Sequence, residues 1–333
     1  MTKIVLTNSF RGGTGKSTII SNIGSYLATL GMKVVIIDGD IISPGIHAIF
    51  GLSEESFTKT LTDFLLGKGD IADAVYDISD NLGLSQNSIM LVPSSIASGE
   101  IVTLWQQTGN ADKMANGLKR IKEKFEPDFI LIDTHPGLND PFLVATGFSD
   151  IILNIVRPDN QDYQGAQVSA EISRKMNIKM YLILNKVHKK IGKSKLIKNV
   201  EDAFNLPVAG VLPFSDDVLF SESQFVFSEK YPNHKFSAEI HNIVTKVFNI
   251  KPKEHLEVMH DLLQYIKDGK KCSIDNISGA KDLPCKNSGE YLDTFIEDGF
   301  IREIKGNLKI TKKGSKFLKK YQIIKRFADD FRL

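Results

Sequence analysis

The sequence predicts an α/β fold, a mostly parallel sheet with helices on both faces, followed by a small C-terminal domain. Three observations carry this expectation. Seven short, continuous apolar runs rich in β-branched residues recur before about residue 250, each reading as a strand buried on both faces. The stretches between them place apolar residues three and four apart, which is helical, and such alternation implies parallel pairing. After the polar connector Lys251-Pro252-Lys253 the pattern changes to helices around a single hairpin.

Ile4-Val5-Leu6 is the first strand, and Ile19, Ile20, Ile23, Leu27 and Leu30 then mark one face of a helix. Gly31 is placed to stop that helix before the strand Val34-Val35-Ile36-Ile37. Further strands are expected at Met90-Leu91-Val92, Phe129-Ile130-Leu131-Ile132, Ile151-Ile152-Leu153, Tyr181-Leu182-Ile183-Leu184 and Val208-Ala209-Gly210-Val211-Leu212. Beyond the connector the spacing predicts helices near 254–268, 274–280 and 284–298. Two alternating runs around Gly306-Asn307 predict a hairpin, and a last helix is expected over about 313–328. The expected domains are residues 1–250 and 254–333.

A chain of 333 residues is long enough for two domains and a sizeable core. Its 42 Lys and Arg against 40 Asp and Glu give a net charge of +2, which excludes a globally supercharged nucleic-acid binder but not a local basic patch. The 42% hydrophobic and 25% charged content argues against a disordered chain. Two cysteines, Cys272 and Cys285, are too few for a disulfide scaffold or a four-cysteine zinc site. No apolar run reaches the ~20 residues of a spanning helix, and the first run is too short for a signal sequence, so a cytoplasmic location is expected.

The chemistry begins where the first strand ends. Gly12-Gly13-Thr14-Gly15-Lys16-Ser17-Thr18 leads from that strand into the first helix. The glycines let the backbone curl around an anion with its N–H groups pointing inward, and the helix N-terminus adds its positive end. In this strand–loop–helix context Lys16 is expected at the β- and γ-phosphates, the Ser17 hydroxyl on Mg²⁺, and Thr18 at the α-phosphate.

Arg11-Gly12-Gly13-Thr14-Gly15-Lys16-Ser17-Thr18 resembles the deviant Walker A motif of the MinD/ParA family of P-loop ATPases. The resemblance continues through Val35-Ile36-Ile37-Asp38-Gly39-Asp40, the Walker B-like Ile130-Leu131-Ile132-Asp133-Thr134-His135-Pro136-Gly137, and the nucleotide-base motif Leu184-Asn185-Lys186-Val187. It covers roughly residues 1–250. It implies a P-loop NTPase fold, ATP with Mg²⁺, slow ATP hydrolysis and a homodimer in the ATP state. It assigns Asp40 to the attacking water, and Asp38 and Asp133 to the Mg²⁺ surroundings. Gly137 becomes a reporter of the γ-phosphate, and Pro213 a flank of the base. Arg11 stands where the family carries a signature lysine that reaches the partner's nucleotide. Arginine keeps the charge and adds bidentate donors. His135 reads as an ordinary loop histidine rather than a base, because phosphoryl transfer relies on position and charge. Asn185 can pair with adenine, whereas the acidic residue that a guanine site needs is replaced by His188.

Residues 254–328 resemble a winged helix-turn-helix of the kind common in archaeal regulatory proteins, with 291–301 as recognition helix and 308–314 as the return of the wing. Between residues 302 and 326 ten Lys and Arg face the single acid Glu303, which suits a phosphate backbone. Against it, Glu290, Asp293, Glu297 and Asp298 lie on the recognition segment. Phe317, Tyr321, Ile324, Ala328 and Phe331 fall at helical spacing and are expected to pack on their own domain, a membrane-surface helix being the second reading. The resulting expectation is a dimeric ATP switch that couples ATP-driven dimerisation to DNA binding, through the C-terminal domain, or to intracellular positioning. A partner protein or a membrane surface is the alternative target. An iron–sulfur carrier is disfavoured because the two cysteines lie outside the ATPase part and form no Cys-x-x-Cys pair.

Overall fold

The computed structural model describes residues 2–95, 110–138, 140–250, 255–268, 299–304 and 307–319, together with Leu292, Phe295 and Ile296. The expected helix at 274–280, most of that at 284–298, both cysteines and the chain beyond residue 319 lie outside the described residues. Two compact units are present, Met1–Ile250 and Lys251–Leu333.

The first half of the first unit runs β1 (Lys3–Asn8), α1 (Lys16–Thr29), β2 (Val34–Gly39), α2 (Ile46–Ile49), α3 (Leu61–Leu65), β3 (Tyr76–Asp77), β4 (Ile89–Val92), α4 (Asn110–Phe125) and β5 (Phe129–Thr134). It continues through α5 (Asp140–Thr146), β6 (Ile151–Val156), α6 (Asn160–Lys175), β7 (Lys179–Val187), α7 (Lys193–Phe204), β8 (Val208–Pro213), α8 (Asp216–Phe220), α9 (Phe227–Lys230) and α10 (Lys235–Phe248). The sheet order is β3-β4-β2-β5-β1-β6-β7-β8. Every pairing is parallel except that of β3 with β4.

The continuous apolar runs are explained by burial of both sheet faces. Successive side chains of a strand point to opposite sides. Val5 and Leu131 join α1 and α10 in one core, while Ile4, Leu6, Ile130 and Ile132 join α4 and α5 in the other. Gly31 ends α1 as expected: it is left-handed, and the Met32 N–H bonds the Leu27 carbonyl at 3.0 Å. The short antiparallel β3 carried no sequence signal, since two residues are too few to show alternation.

At the opposite edge, side chains take the backbone groups of β8. The Val208 N–H donates to Glu201 and the Val211 N–H to Glu239, both at 2.8 Å. Lys246 donates to the Val208 carbonyl at 2.6 Å. Glu239 also holds Lys193 at 2.7 Å.

The second unit contains α11 (His255–Lys267), an antiparallel pair of β9 (Ile301–Ile304) and β10 (Asn307–Ile310), and a helix over 312–319. Leu262, Leu263, Ile266, Leu292, Phe295, Ile301, Leu308 and Leu318 form its core. Asn307 pairs with Ile304, so the ladder starts one residue before the expected Leu308. The Thr311 hydroxyl accepts from the Gly314 N–H at 3.2 Å at the start of the last helix. Phe317 packs against the core of this unit. Among the described residues no helix is long and apolar enough to cross a membrane.

Candidate nucleotide site

The end of β1 passes through residues 9–15 into α1, whose first residue is Lys16. Gly15 caps the helix with φ of 96°, and no side chain caps the first turn. Its N–H groups are therefore not taken by a capping side chain. Glycine is required at residue 15 on two counts. The φ is left-handed, and a Cβ would stand 2.5 Å from Asn185 Nδ2.

Register brings the acids together. Asp38 on β2 pairs with Asp133 on β5, and β1 lies beside β5 with Thr7 next to Asp133. Asp133 is buried and accepts from Thr7 Oγ1 at 2.9 Å and Ser17 Oγ at 2.5 Å. Burial raises its carboxyl, and Lys16 with the two hydroxyls opposes the rise. Asp38 Oδ2 accepts from the Gly45 and Ile46 N–H groups at 3.0 and 3.1 Å. Among the described residues its Oδ1 is buried without a hydrogen-bond partner. Burial, then the neighbouring Asp133 charge, pushes the Asp38 carboxyl up to about 8. Asp40 follows β2, and its Oδ1 accepts from the Ser43 N–H at 3.0 Å and meets His135 Nδ1 at 2.8 Å. The loop carrying His135 is tied to the phosphate loop, because the Gly137 N–H donates to the Ser9 carbonyl at 2.8 Å.

Asn185 and Lys186 close the other side. Asn185 Nδ2 donates to the Thr14 carbonyl at 2.6 Å, and its Oδ1 accepts the Lys186 N–H at 2.8 Å. Lys186 Nζ donates to the Gly13 carbonyl at 2.7 Å. In this arrangement both ends of the Asn185 amide serve the chain itself. Pairing with adenine would require that side chain to turn. Pro213 ends β8 opposite Val187. Beyond it a cavity of about 730 Å³ is lined by Phe220, Phe225, Tyr231, His234 and neighbours. Thr18 Oγ1 lies 3.4 Å from Ser223 Oγ, so residues after β8 reach the first turn of α1.

Arg11 is held within its own chain. Its Nε donates to Asp162 at 2.6 Å, one terminal nitrogen grips both oxygens of Asp159 at 2.5 Å, and the other donates to Gln161. Asp159 caps α6. Burial would raise Asp162, but bonds from the Arg157 side chain and backbone, with Arg11, bring it below the usual carboxylate range. Phe10 beside Arg11 lies against Gly165, where a Cβ would stand 2.0 Å from the ring. Sequence reasoning missed Thr7, Asp159, Asp162, Lys186 and Ser223. Lys186 lies inside the base motif but carried no assigned role, and no motif marks the other four, which only register or folding brings near.

In the second unit a cleft of about 560 Å³ is lined by Arg302, Lys312, Lys316 and Lys319 with Ile310, Thr311 and Ser315. Lys312, Lys316 and Lys319 are four and three residues apart on one helix face. Arg302 stands opposite Lys309 on the ladder, a like-charge pair that repels. Among the described residues these five cations form no ion pair.

A profile of the AAA domain family matches residues 1–188, and one of the winged helix-turn-helix matches residues 253–329. An uncharacterized ATP-binding protein of Methanocaldococcus jannaschii is 28% identical over 206 residues, covering 62% of this chain and 72% of its own. The septum site-determining protein MinD of Synechocystis is 27% identical over 228 residues, covering 67% and 80%. The solved MinD of Pyrococcus horikoshii, complexed with Mg-ADP, superposes with a TM-score of 0.62 at 22% identity over 74% of this chain and 96% of that one, which shows the shared fold. The AAA domain match spans more than half of the 333 residues, so the chain belongs to that family, as a MinD/ParA-type P-loop protein carrying a winged helix-turn-helix at its C-terminal end.

Proposed function

We propose that the chain is a switch that binds and hydrolyses ATP with Mg²⁺, dimerises in the ATP state, and couples that state to DNA binding through its second unit. The observation that carries this reading is the meeting of Ser17 Oγ and the buried Asp133 carboxylate, 2.5 Å apart, at the uncapped start of α1. The oxygen donors fit Mg²⁺, and the Asp38 Oδ1, buried without a hydrogen-bond partner among the described residues, becomes an acceptor for a cation or its water once the carboxyl ionises. Among the described residues no three His, Cys, Asp or Glu side chains close on one point. Mg²⁺ asks for less, since it keeps several waters and takes phosphate oxygens. When bound, it supplies charge neutralisation at the β- and γ-phosphates.

The chain's own groups do the rest. Backbone N–H groups at residues 12–18 and the Lys16 ammonium hold the phosphates, and Ser17 and Asp133 hold the metal side. Asp40 orients the water that attacks the γ-phosphorus. Asn185 and Pro213 border the base. Arg11 reaches the partner's nucleotide in the dimer. To do so it exchanges Asp159 and Asp162 for phosphate oxygens, which its planar fork grips in the same bidentate way. An Arg11→Ala variant that hydrolyses ATP at the wild-type rate would refute that role.

The basic cleft of the second unit supports a phosphate backbone as the target. A dimer would present two such clefts and gain avidity. The test uses Asp40→Ala, expected to hold ATP without turning it over. Fluorescence anisotropy of a labelled duplex is followed with ATP and with ADP at two salt concentrations. Tight binding with ATP alone, weakening as salt rises, is expected. Absence of binding in both states, with wild-type turnover intact, would reject DNA as the target.

A further inference from the structure

We infer that His135 is a positioning residue for ATP hydrolysis, holding the Asp40 carboxylate so that one oxygen remains for the attacking water. The inference rests on the reading of Asp40 given above. It starts from register. Gly39 at the end of β2 pairs with Thr134 at the end of β5, so the next residue of each strand, Asp40 and His135, emerges beside the other. His135 Nδ1 lies 2.8 Å from Asp40 Oδ1, and the Ser43 N–H donates to that same oxygen at 3.0 Å. Among the described residues Asp40 Oδ2 has no hydrogen-bond partner.

A carboxylate with a single donor can swivel about its Cβ–Cγ bond. Two donors on one oxygen, one from the loop after β2 and one from the loop after β5, fix its plane. They commit Oδ1 and leave the Oδ2 lone pairs for water. Asp40 only accepts when ionised, so Nδ1 carries the proton in this contact, and the ring acts as a donor rather than as a base. The Asp40 side chain is 11% exposed and that of His135 32%, so the contact lies at the rim of the site and is partly shielded from competing water. The backbone on either side of His135 is also fixed. Thr134 Oγ1 donates to the Thr7 carbonyl at 2.7 Å, and the Gly137 N–H to the Ser9 carbonyl at 2.8 Å. His135 thus ties the water-orienting carboxylate to the same segment that leads into the phosphate loop.

The test is phosphate release from Mg-ATP by the full chain, with nucleotide affinity measured separately by a fluorescent ATP analogue. His135→Ala should lower kcat by about 10- to 100-fold, the scale of a misplaced reacting group, with KM unchanged within about twofold because the phosphate cradle is intact. His135→Asn places an amide N–H near the position of Nδ1 and should recover most of the rate, whereas His135→Gln, one bond longer, should not. Equal kcat for His135→Ala and wild type, or Asn no better than Ala, would each overturn the inference. An Asp40→Ala protein that turns over at the wild-type rate would instead overturn the reading of Asp40 itself. If His135→Ala does not fold, the comparison of Asn with Gln decides.

Discussion

Exchanging Asp38 for asparagine probes the electrostatics of the nucleotide site in the empty protein. Asp38 is buried at the end of β2, and burial with the adjacent Asp133 charge pushes its carboxyl up to about 8 from the ordinary 3.8. Between these values the folded chain holds a proton that the unfolded chain has released. Folding then takes up a proton, so stability falls as pH rises, from its full value below the lower figure to its minimum above the higher. From about pH 5.5 to about pH 8.5 this single group removes about 3 kcal/mol, at ~1.4 kcal/mol per pH unit up to its own midpoint. Asparagine cannot ionise. It keeps an acceptor for the Gly45 and Ile46 N–H groups, and its own cost of burial is the same at both pH values and cancels. The assay is thermal unfolding of nucleotide-free protein in a chelator, followed by circular dichroism, for wild type and Asp38→Asn at both pH values. Relative to wild type, the variant's midpoint should gain about 6–12 °C on going from the acid to the alkaline condition, the scale for a unit of this size. Parallel pH profiles would refute the reasoning, because Asp38 would then be ionised and compensated in the empty site. Saturating Mg-ATP should erase the alkaline loss of the wild type, since a cation favours the charged carboxylate.

Gly165→Ala would drive a methyl group into the Phe10 ring, 2.0 Å from its nearest carbon, and should cost about 1–3 kcal/mol by thermal unfolding. Because Phe10 adjoins Arg11, the same variant should hydrolyse ATP more slowly than its loss of stability alone explains. Lys316→Glu with Lys319→Glu should weaken duplex binding and reduce the slope of log affinity against log salt by about two, which a titration at several salt concentrations reads directly.

Much of this site is local, and that part was legible in the chain. Gly12 to Thr18 form one contiguous segment running from the loop into α1, and the buried runs around Val5, Ile36 and Leu131 announce strands by composition alone. What was not legible depends on register and on pairs far apart in sequence. That Asp38 and Asp133 share a level of the sheet follows from the β2–β5 pairing, which neither run specifies by itself. Arg11 finds its acids about 150 positions away, at the start of α6. Asn185 has the residue type for base recognition, yet its amide is turned to the Thr14 carbonyl, because the close approach allowed by Gly15 puts a backbone acceptor within reach. In the second unit, the hairpin was visible from alternation, but the clustering of Arg302 with Lys312, Lys316 and Lys319 needed the wing and the last helix to be brought side by side.

The treatment of the sheet margins limits how copies can assemble. An open strand edge is a template for joining another chain, strand to strand. Here one margin is a two-residue antiparallel strand, too short to seed such a junction. At the other, Glu201, Glu239 and Lys246 already occupy main-chain groups of β8 that an incoming strand would need. Sheet extension from copy to copy is thus blocked at both ends, which guards a chain rich in apolar strands against fibre-like growth. It also means that a reversible pairing of two copies through this unit would be built from loops and helix surfaces, contacts that can be made and broken without remaking the eight-stranded sheet.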